Sequence, residues 1–282
     1  MLSTYQNNEK VRIPNLVKWA GGKGNLIETL MHYIPKKFET YCEPFFGGGS
    51  LFWNLKLKGV IEEAVISDIN PDLINLLNIV KDHTGELSDE LRNYTNINGV
   101  KQYYMIRNRF NSIPNTKKLS VEKAALFLYL NRNCYNGLWR INRKGEFNVP
   151  FGFYKKYYIP SSNDLETYSE LLRNTKIILG DFSVSLKLCK EGDFVYLDPP
   201  YYSLSGFTEY AGSKFTWREQ SKLADFFRVL SDKGVRLVES NSNHPDILEL
   251  YHGFKIIQAK GYSIISSKNN GRGITDELII IS

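Results

Sequence analysis

Short apolar runs that stop on a carboxylate constrain this 282-residue chain more than any other feature. EAVISD ends at Asp68, KIILGD at Asp181 and DFVYLD at Asp198. Runs this apolar suit strands buried on both faces. Helical patterns separate them. Asn70-Pro71 starts one helix, with Asn as cap and Pro at the first helical position, and Leu73, Leu76, Leu77 and Val80 form its apolar face. Thr216 to Glu219 is a capping box for another, which stops at Gly234. YCEPF and VRLVESN supply further strands, and Ser50–Lys58 and DILELYHGF further helices. The predicted fold class is α/β: a Rossmann-like, doubly wound, mostly parallel sheet covered on both faces. FKIIQAKGY and DELIIIS, joined by the glycine-rich KNNGRG, are expected to add an antiparallel edge.

The alternation breaks for roughly 85 residues, about 82–165, far beyond an ordinary connection of about 2–6 residues. This stretch reads as an inserted, mainly helical domain within a core made of 1–81 and 166–282. VEKAALFLYLNR is its clearest helix, and NGLWRINRKGEFNVPFG reads as a hairpin around Lys144-Gly145. Charge marks the insert too. Residues 101–160 hold 12 Lys/Arg against 2 Asp/Glu, while the whole chain is only +6. Thirteen aromatics are interleaved with them. Basic charge among stackable rings suits nucleic acid.

Other classes fit poorly. No apolar run is long enough to span a membrane, and the first fifteen residues lack the apolar region of a signal peptide. Three scattered cysteines (Cys42, Cys134, Cys189) and four histidines show no metal-ligand spacing, so no metal and a reducing, cytoplasmic setting are expected. WAGGK is close to a phosphate loop but lacks the Ser/Thr after its lysine; Gly24 follows instead. Lys23 is free in this reading to bind a ligand carboxylate, with Trp19 packed beside it.

Two motifs carry chemistry. In FFGGGS, glycines after a strand allow close approach of a ligand, and Asp68 lies 19 residues beyond Gly49, at the end of the next strand. That spacing suits a carboxylate accepting ribose hydroxyls. It is no G-x-G-x-x-G, so a nucleoside-bearing cofactor is favoured over a dinucleotide. In DPPY, the Asp198 carboxylate and the Pro199 carbonyl are acceptors, Pro199 and Pro200 have no N–H to donate, and Tyr201 offers a ring. An amine on a flat heterocycle is the complement of that set.

At this point the chain resembles the Dam-type DNA adenine-N6 methyltransferases, over nearly its whole length. WAGGK (19–23), FFGGGS (45–50), SDIN (67–70), YNGLWRINRKGEFNVPFGFY (135–154), GDF (180–182) and DPPY (198–201) carry the resemblance, in the order of the alpha class of amino-methyltransferases. The resemblance implies S-adenosylmethionine as cofactor, held by Trp19, Lys23, Phe46, Gly47, Gly49, Asp68, Asp181, Phe182 and Asp198. It implies methyl transfer to adenine N6 at Asp198, Pro199, Pro200 and Tyr201. It implies duplex DNA as partner, read at GATC with the target base flipped out: Arg140 for a guanine, Leu138 and Pro150 for thymine, Lys18 as a base-reading lysine, Tyr135 filling the opened duplex, and Asn136, Asn148 and Tyr154 as further DNA-binding residues of the matching hairpin block. It also allows a cognate restriction endonuclease as functional partner. Left open are cytosine N4 or another sequence as target, and a catalytically silent DNA-binding protein.

Overall fold

The computed structural model describes residues 15–23, 26–95, 97, 99–116, 118–154, 158–202, 209–210, 213–263 and 273–282. After α1 (Ile27–Met31), strand β1 (Thr40–Glu43) leads through the glycine turn to α2 (Ser50–Leu57), β2 (Glu63–Asp68) and α3 (Pro71–Asp82). Then come α4 (Thr84–Arg92), α5 (Val100–Ser112), α6 (Val121–Asn133), a 3-10 turn at Tyr135–Gly137, and α7 (Ser162–Leu171). The alternation resumes with β3 (Thr175–Leu179), α8 (Phe182–Leu186) and β4 (Phe194–Leu197). A two-residue pair, β5 (Glu209–Tyr210) and β6 (Ser213–Lys214), precedes α9 (Trp217–Asp232), β7 (Arg236–Ser242), α10 (Pro245–Leu250), β8 (Lys255–Ser263) and β9 (Gly273–Ile281).

The main sheet runs β3-β2-β1-β4-β7-β9-β8. Its first five strands are parallel, while β9 pairs antiparallel with both β7 and β8. The α/β expectation and its antiparallel edge are both met. All four residues of β4 are buried, because the strand sits between β1 and β7 with helices over both faces. The chain winds outward from β1 through β2 to β3, then crosses back to β4. Strand order therefore reverses between β1 and β4, and the crevice beyond their carboxyl ends is where such sheets hold ligands. The glycine turn and DPPY sit at those two strand ends.

Local chemistry sets the helix starts. The Asn70 side chain accepts from the N–H groups of Asp72 (3.0 Å) and Leu73 (3.2 Å), with Pro71 next in line. Thr216 and Glu219 form the expected capping box.

The insert lies in the crossover from β2 to β3. Its centre is α6, where eleven residues from Lys123 to Asn133 are buried, so the helix is a core element and has no solvated stripe. One hydrophobic cluster runs without a break from the sheet through α3 and α6 to the hairpin residues Trp139 and Phe147. The boundaries read from sequence, 81/82 and 165/166, fall inside α3 and α7, because both helices carry apolar faces shared with the insert. The hairpin turns at Asn142–Gly145 as expected, but the backbones of its arms pair as isolated bridges, Cys134 to Phe151 and Ile141 to Phe147, and not as a ladder.

Not all of the insert's positive charge faces outward. Lys123 lies 3.0 Å from Asp72 and also donates to the Ile113 carbonyl (3.0 Å). The buried Arg132 donates through Nη2 to the Leu16 carbonyl at 2.9 Å. Arg109 is held by Glu122 through Nε (2.6 Å) and Nη2 (2.9 Å). Of the basic residues counted in this stretch, two thus serve the core and one serves a neighbouring acid.

Removing one member of a buried pair strands the other. Asp72→Ala should lose roughly 3–5 kcal/mol in urea denaturation, whereas the paired change Asp72→Leu with Lys123→Met should stay close to the parent.

Candidate active site at the switch point of the sheet

The glycine turn is shaped by its neighbours. Gly47 and Gly49 have φ of 48° and 63°, which favour glycine. A Cβ at Gly47 would lie 2.7 Å from Trp19 Nε1, and one at Gly49 would collide with the buried Phe46 ring. WAGGK therefore packs directly on FFGGGS. Asp68 faces the same turn: Oδ2 accepts from Gly47 N (2.9 Å) and Oδ1 from Asn70 N (2.8 Å). Burial pushes its carboxyl upward while these N–H bonds oppose the shift. Asp181 is exposed and caps α8 by accepting from Ser183 N at 2.8 Å; Phe182 is buried beside Phe45. Ile69, next to Asp68, and Val184, in the helix that Asp181 caps, stand about two-fifths exposed.

Across the crevice, β4 delivers Asp198. The ammonium of Lys23 lies 3.0 Å from Asp198 Oδ1, 3.5 Å from Glu277 Oε2 and 4.3 Å from the centroid of the Tyr201 ring, and it also donates to the Gly21 carbonyl at 3.2 Å. The Tyr201 hydroxyl donates to Glu277. Lys23, expected beside a ligand carboxylate, is here engaged by two of the protein's own. The loop after Asp198 is held from behind. Gln220 Nε2 donates to the Pro200 carbonyl (3.0 Å) and Ser242 Oγ to the Tyr202 carbonyl (3.0 Å). Pro199 is buried.

Besides Glu277, three carboxyls share this region, and they are not equal. Burial, reinforced by Glu277 and opposed by Lys23, raises Asp198 to about 6. Burial raises Glu43 and Glu239 to about 8, with Asp198 adding to both. Glu43 accepts from the Tyr41 hydroxyl (2.7 Å). Glu239 accepts from Tyr251 (2.7 Å) and from Asn241 (2.8 Å), which also donates to Gln220 (3.1 Å). At neutral pH Asp198 is mainly ionised, while the two deeper acids are mainly neutral. Sequence reading missed Glu43, Glu239, Gln220, Asn241 and Glu277. The signal was a carboxylate inside or at the mouth of an apolar strand, as in YCEPF, VRLVESN and DELIIIS.

The residues expected at nucleic acid gather along the insert's hairpin. Asn131 clasps the backbone of Lys18, accepting from its N–H (2.7 Å) and donating to its carbonyl (2.8 Å). Lys18 Nζ sits 4.0 Å from the Tyr154 ring centroid and donates to the Arg132 carbonyl (3.2 Å), while its stem packs on Gly137. Burial first and Arg132 second lower its pKa. Tyr135 is exposed, and its N–H donates to the Pro150 carbonyl at 2.8 Å; Pro150 is exposed too. Asn136 adopts φ 53°. Arg140 is exposed and is fixed through Nε by Asn148 Oδ1 at 2.8 Å, so among the described residues Nη1 and Nη2 remain for a ligand. Leu138 is half-buried against the core. Residues 268–272 of KNNGRG, Arg272 among them, lie outside the described residues. No helix among the described residues is long and apolar enough to cross a membrane, and none of their His, Cys, Asp or Glu form a metal-binding group of three.

A family model described as D12 class N6 adenine-specific DNA methyltransferase matches residues 19–263. The chain is 37% identical over 284 residues to the type II methyltransferase M1.LlaDCHI of Lactococcus lactis subsp. cremoris, covering 99% of this chain and 98% of that one. It is 37% identical over 270 residues to the DNA adenine methylase of Escherichia coli K12, covering 94% of each. It is also 37% identical over 288 residues to the type II methyltransferase M.MjaIII of Methanocaldococcus jannaschii, covering 96% of this chain and 99% of that one.

The neutral acids set a pH dependence of stability. Glu239 has a folded pKa of about 8 against a reference of 4.5, so the folded state binds the extra proton between those values. Stability contributed there is present below about 4.5 and lost as pH rises through about 8. Urea midpoints should fall from pH 5 to pH 8, and Glu239→Gln should make that decline shallower.

Proposed function

The chain belongs to the D12 class of N6 adenine-specific DNA methyltransferases, and we propose that it transfers the methyl group of S-adenosylmethionine to an adenine flipped out of duplex GATC. The observation that supports this most is the juxtaposition of the glycine turn and Asp68 with the Asp198–Tyr201 loop across one crevice. Family membership favours adenine over cytosine N4, and an enzyme over a silent binding protein.

The residues present fit the cofactor. Asp68 and Asp181 are carboxylates ordered by backbone N–H groups, and Ile69 and Val184 offer exposed apolar surface next to them. Asp68 would accept ribose hydroxyls, and Asp181 and Phe182 would border the adenine moiety. Phe46, Gly47, Gly49 and Trp19 would form the close-fitting floor. Lys23 would meet the cofactor's carboxylate only by yielding one of its present partners. When bound, S-adenosylmethionine supplies an electrophilic methyl group on a sulfonium.

The protein's part is orientation and charge. N6 cannot be reached in the stacked duplex, so the adenine has to leave it. Asp198 and the Pro199 carbonyl accept its two N6 hydrogens, which turns the nitrogen lone pair toward the methyl carbon. Tyr201 stacks on the purine with the face opposite Lys23, because the ammonium covers the other. Positive charge that develops on N6 during transfer would be stabilised by these fixed oxygens. The surplus N6 proton leaves through Asp198, whose raised pKa suits it as acceptor.

On this reading, residues 1–81 and 166–282 form the catalytic domain and 82–165 the recognition domain. Arg140 reads a guanine with its Nη pair. Leu138, Pro150 and Lys18 complete base reading, and Tyr135 fills the opened duplex, with Asn136, Asn148 and Tyr154 around it. The remaining surface cations contact phosphates.

Mapping of modified bases in DNA from cells expressing the protein should find N6-methyladenine at GATC; methylation at another sequence would remove that assignment. Asp198→Ala should abolish transfer in a folded protein. Since the carboxylate form is required, kcat/KM should fall as pH drops through about 6. Arg140→Ala should lose roughly 1–3 kcal/mol of discrimination at one guanine, measured on duplexes substituted at each position. Uniform weakening on all of them would make it a phosphate contact.

A further inference from the structure

Three consecutive residues after Asp198 and Pro199 are anchored by neighbouring elements: Pro200 by Gln220 of α9, Tyr201 by Glu277 of β9 and Tyr202 by Ser242 of β7. Only the middle anchor is charged. Glu277 reaches the site because β9 runs antiparallel beside β7, which sets it opposite Ser242. Its carboxylate does two things there. It accepts the Tyr201 phenol, and it lies 3.5 Å from the ammonium that Asp198 also holds. Both Lys23 and Glu277 are nearly buried, with side chains 5% and 11% exposed, so this attraction is poorly screened by solvent.

We propose that Glu277 is a positioning residue for methyl transfer, fixing the Tyr201 ring and sharing Lys23 so that Asp198 stays oriented yet available to the target amine. This deepens the reading given above and rests on it. Two carboxylates against one ammonium give the cup a formal surplus of one negative charge, the sign that suits positive charge developing on N6. With Glu277 removed, Lys23 would have Asp198 as its remaining carboxylate partner among these four groups. Cation and acid would then tend to neutralise each other at the point where the amine has to bind. The Tyr201 ring would also lose the bond that fixes its outer end.

Kinetics on a GATC duplex with tritiated S-adenosylmethionine separate this role from a merely structural one. Glu277→Gln keeps the shape and removes the charge. It should lower kcat roughly tenfold or more with little change in KM for DNA. It should also move the acid limb of kcat/KM to lower pH, because Glu277 raises Asp198. The other groups coupled to Asp198 are Lys23, Tyr196, Tyr201, Glu43 and Glu239, and all are unchanged in this variant. Tyr201→Phe should lower kcat while leaving the acid limb in place. A kcat within twofold of the parent and an unmoved limb in Glu277→Gln would overturn the proposal. If that variant melts too low to assay, Tyr201→Phe decides: full kcat without the phenol overturns the anchoring role. Absence of adenine methylation in the parent protein would instead sink the underlying reading.

Discussion

A single buried ammonium holds this site together. Lys23 is flanked by Asp198 and Glu277, with the Tyr201 ring against it. Burial alone would drive such carboxyls toward their neutral forms, and a nearby cation is what favours the charged form. Asp198 shows the compromise: it is raised, but only to about 6, while the more enclosed Glu43 and Glu239 go to about 8. Lys23 thus lets Asp198 stay ionised at neutral pH while Glu43 and Glu239 support the strands as neutral hydrogen-bonding groups.

The same short segment joins that site to the insert. Leu16 receives Arg132, Lys18 is clasped by Asn131, Trp19 covers Gly47, and Lys23 meets Asp198. Eight residues therefore span from the central helix of the insert to the mouth of β4. On the proposed reading, base recognition and methyl transfer are mechanically adjacent through this strap.

The apolar, aromatic insert also proves less separate than its length implies. α6 is buried all round, and the hydrophobic cluster of the sheet continues through it to Trp139. Its buried cations behave like those of the site. Lys123 is held by Asp72 as Lys23 is held by Asp198, in each case joining segments far apart in the chain.

The chain's residues alone determined the local pieces. EAVISD, DFVYLD, Asn70-Pro71 and the Thr216 capping box formed the elements they announced, because apolar runs and caps act over a few residues. Glycines at 47 and 49 and the prolines of DPPY were legible for the same reason: backbone freedom and a missing N–H are properties of single residues. Sequence could not say that Lys23 would meet Asp198 and Glu277, or that Glu43 and Glu239 would be neutral. Nor could it say that Lys123 and Arg132 would turn inward from a basic stretch. Those outcomes depend on which strand lies beside which, on the antiparallel register that sets Glu277 against Ser242, and on the burial that follows. Charge state and partnership arise from desolvation and distance, and only the assembled sheet fixes both.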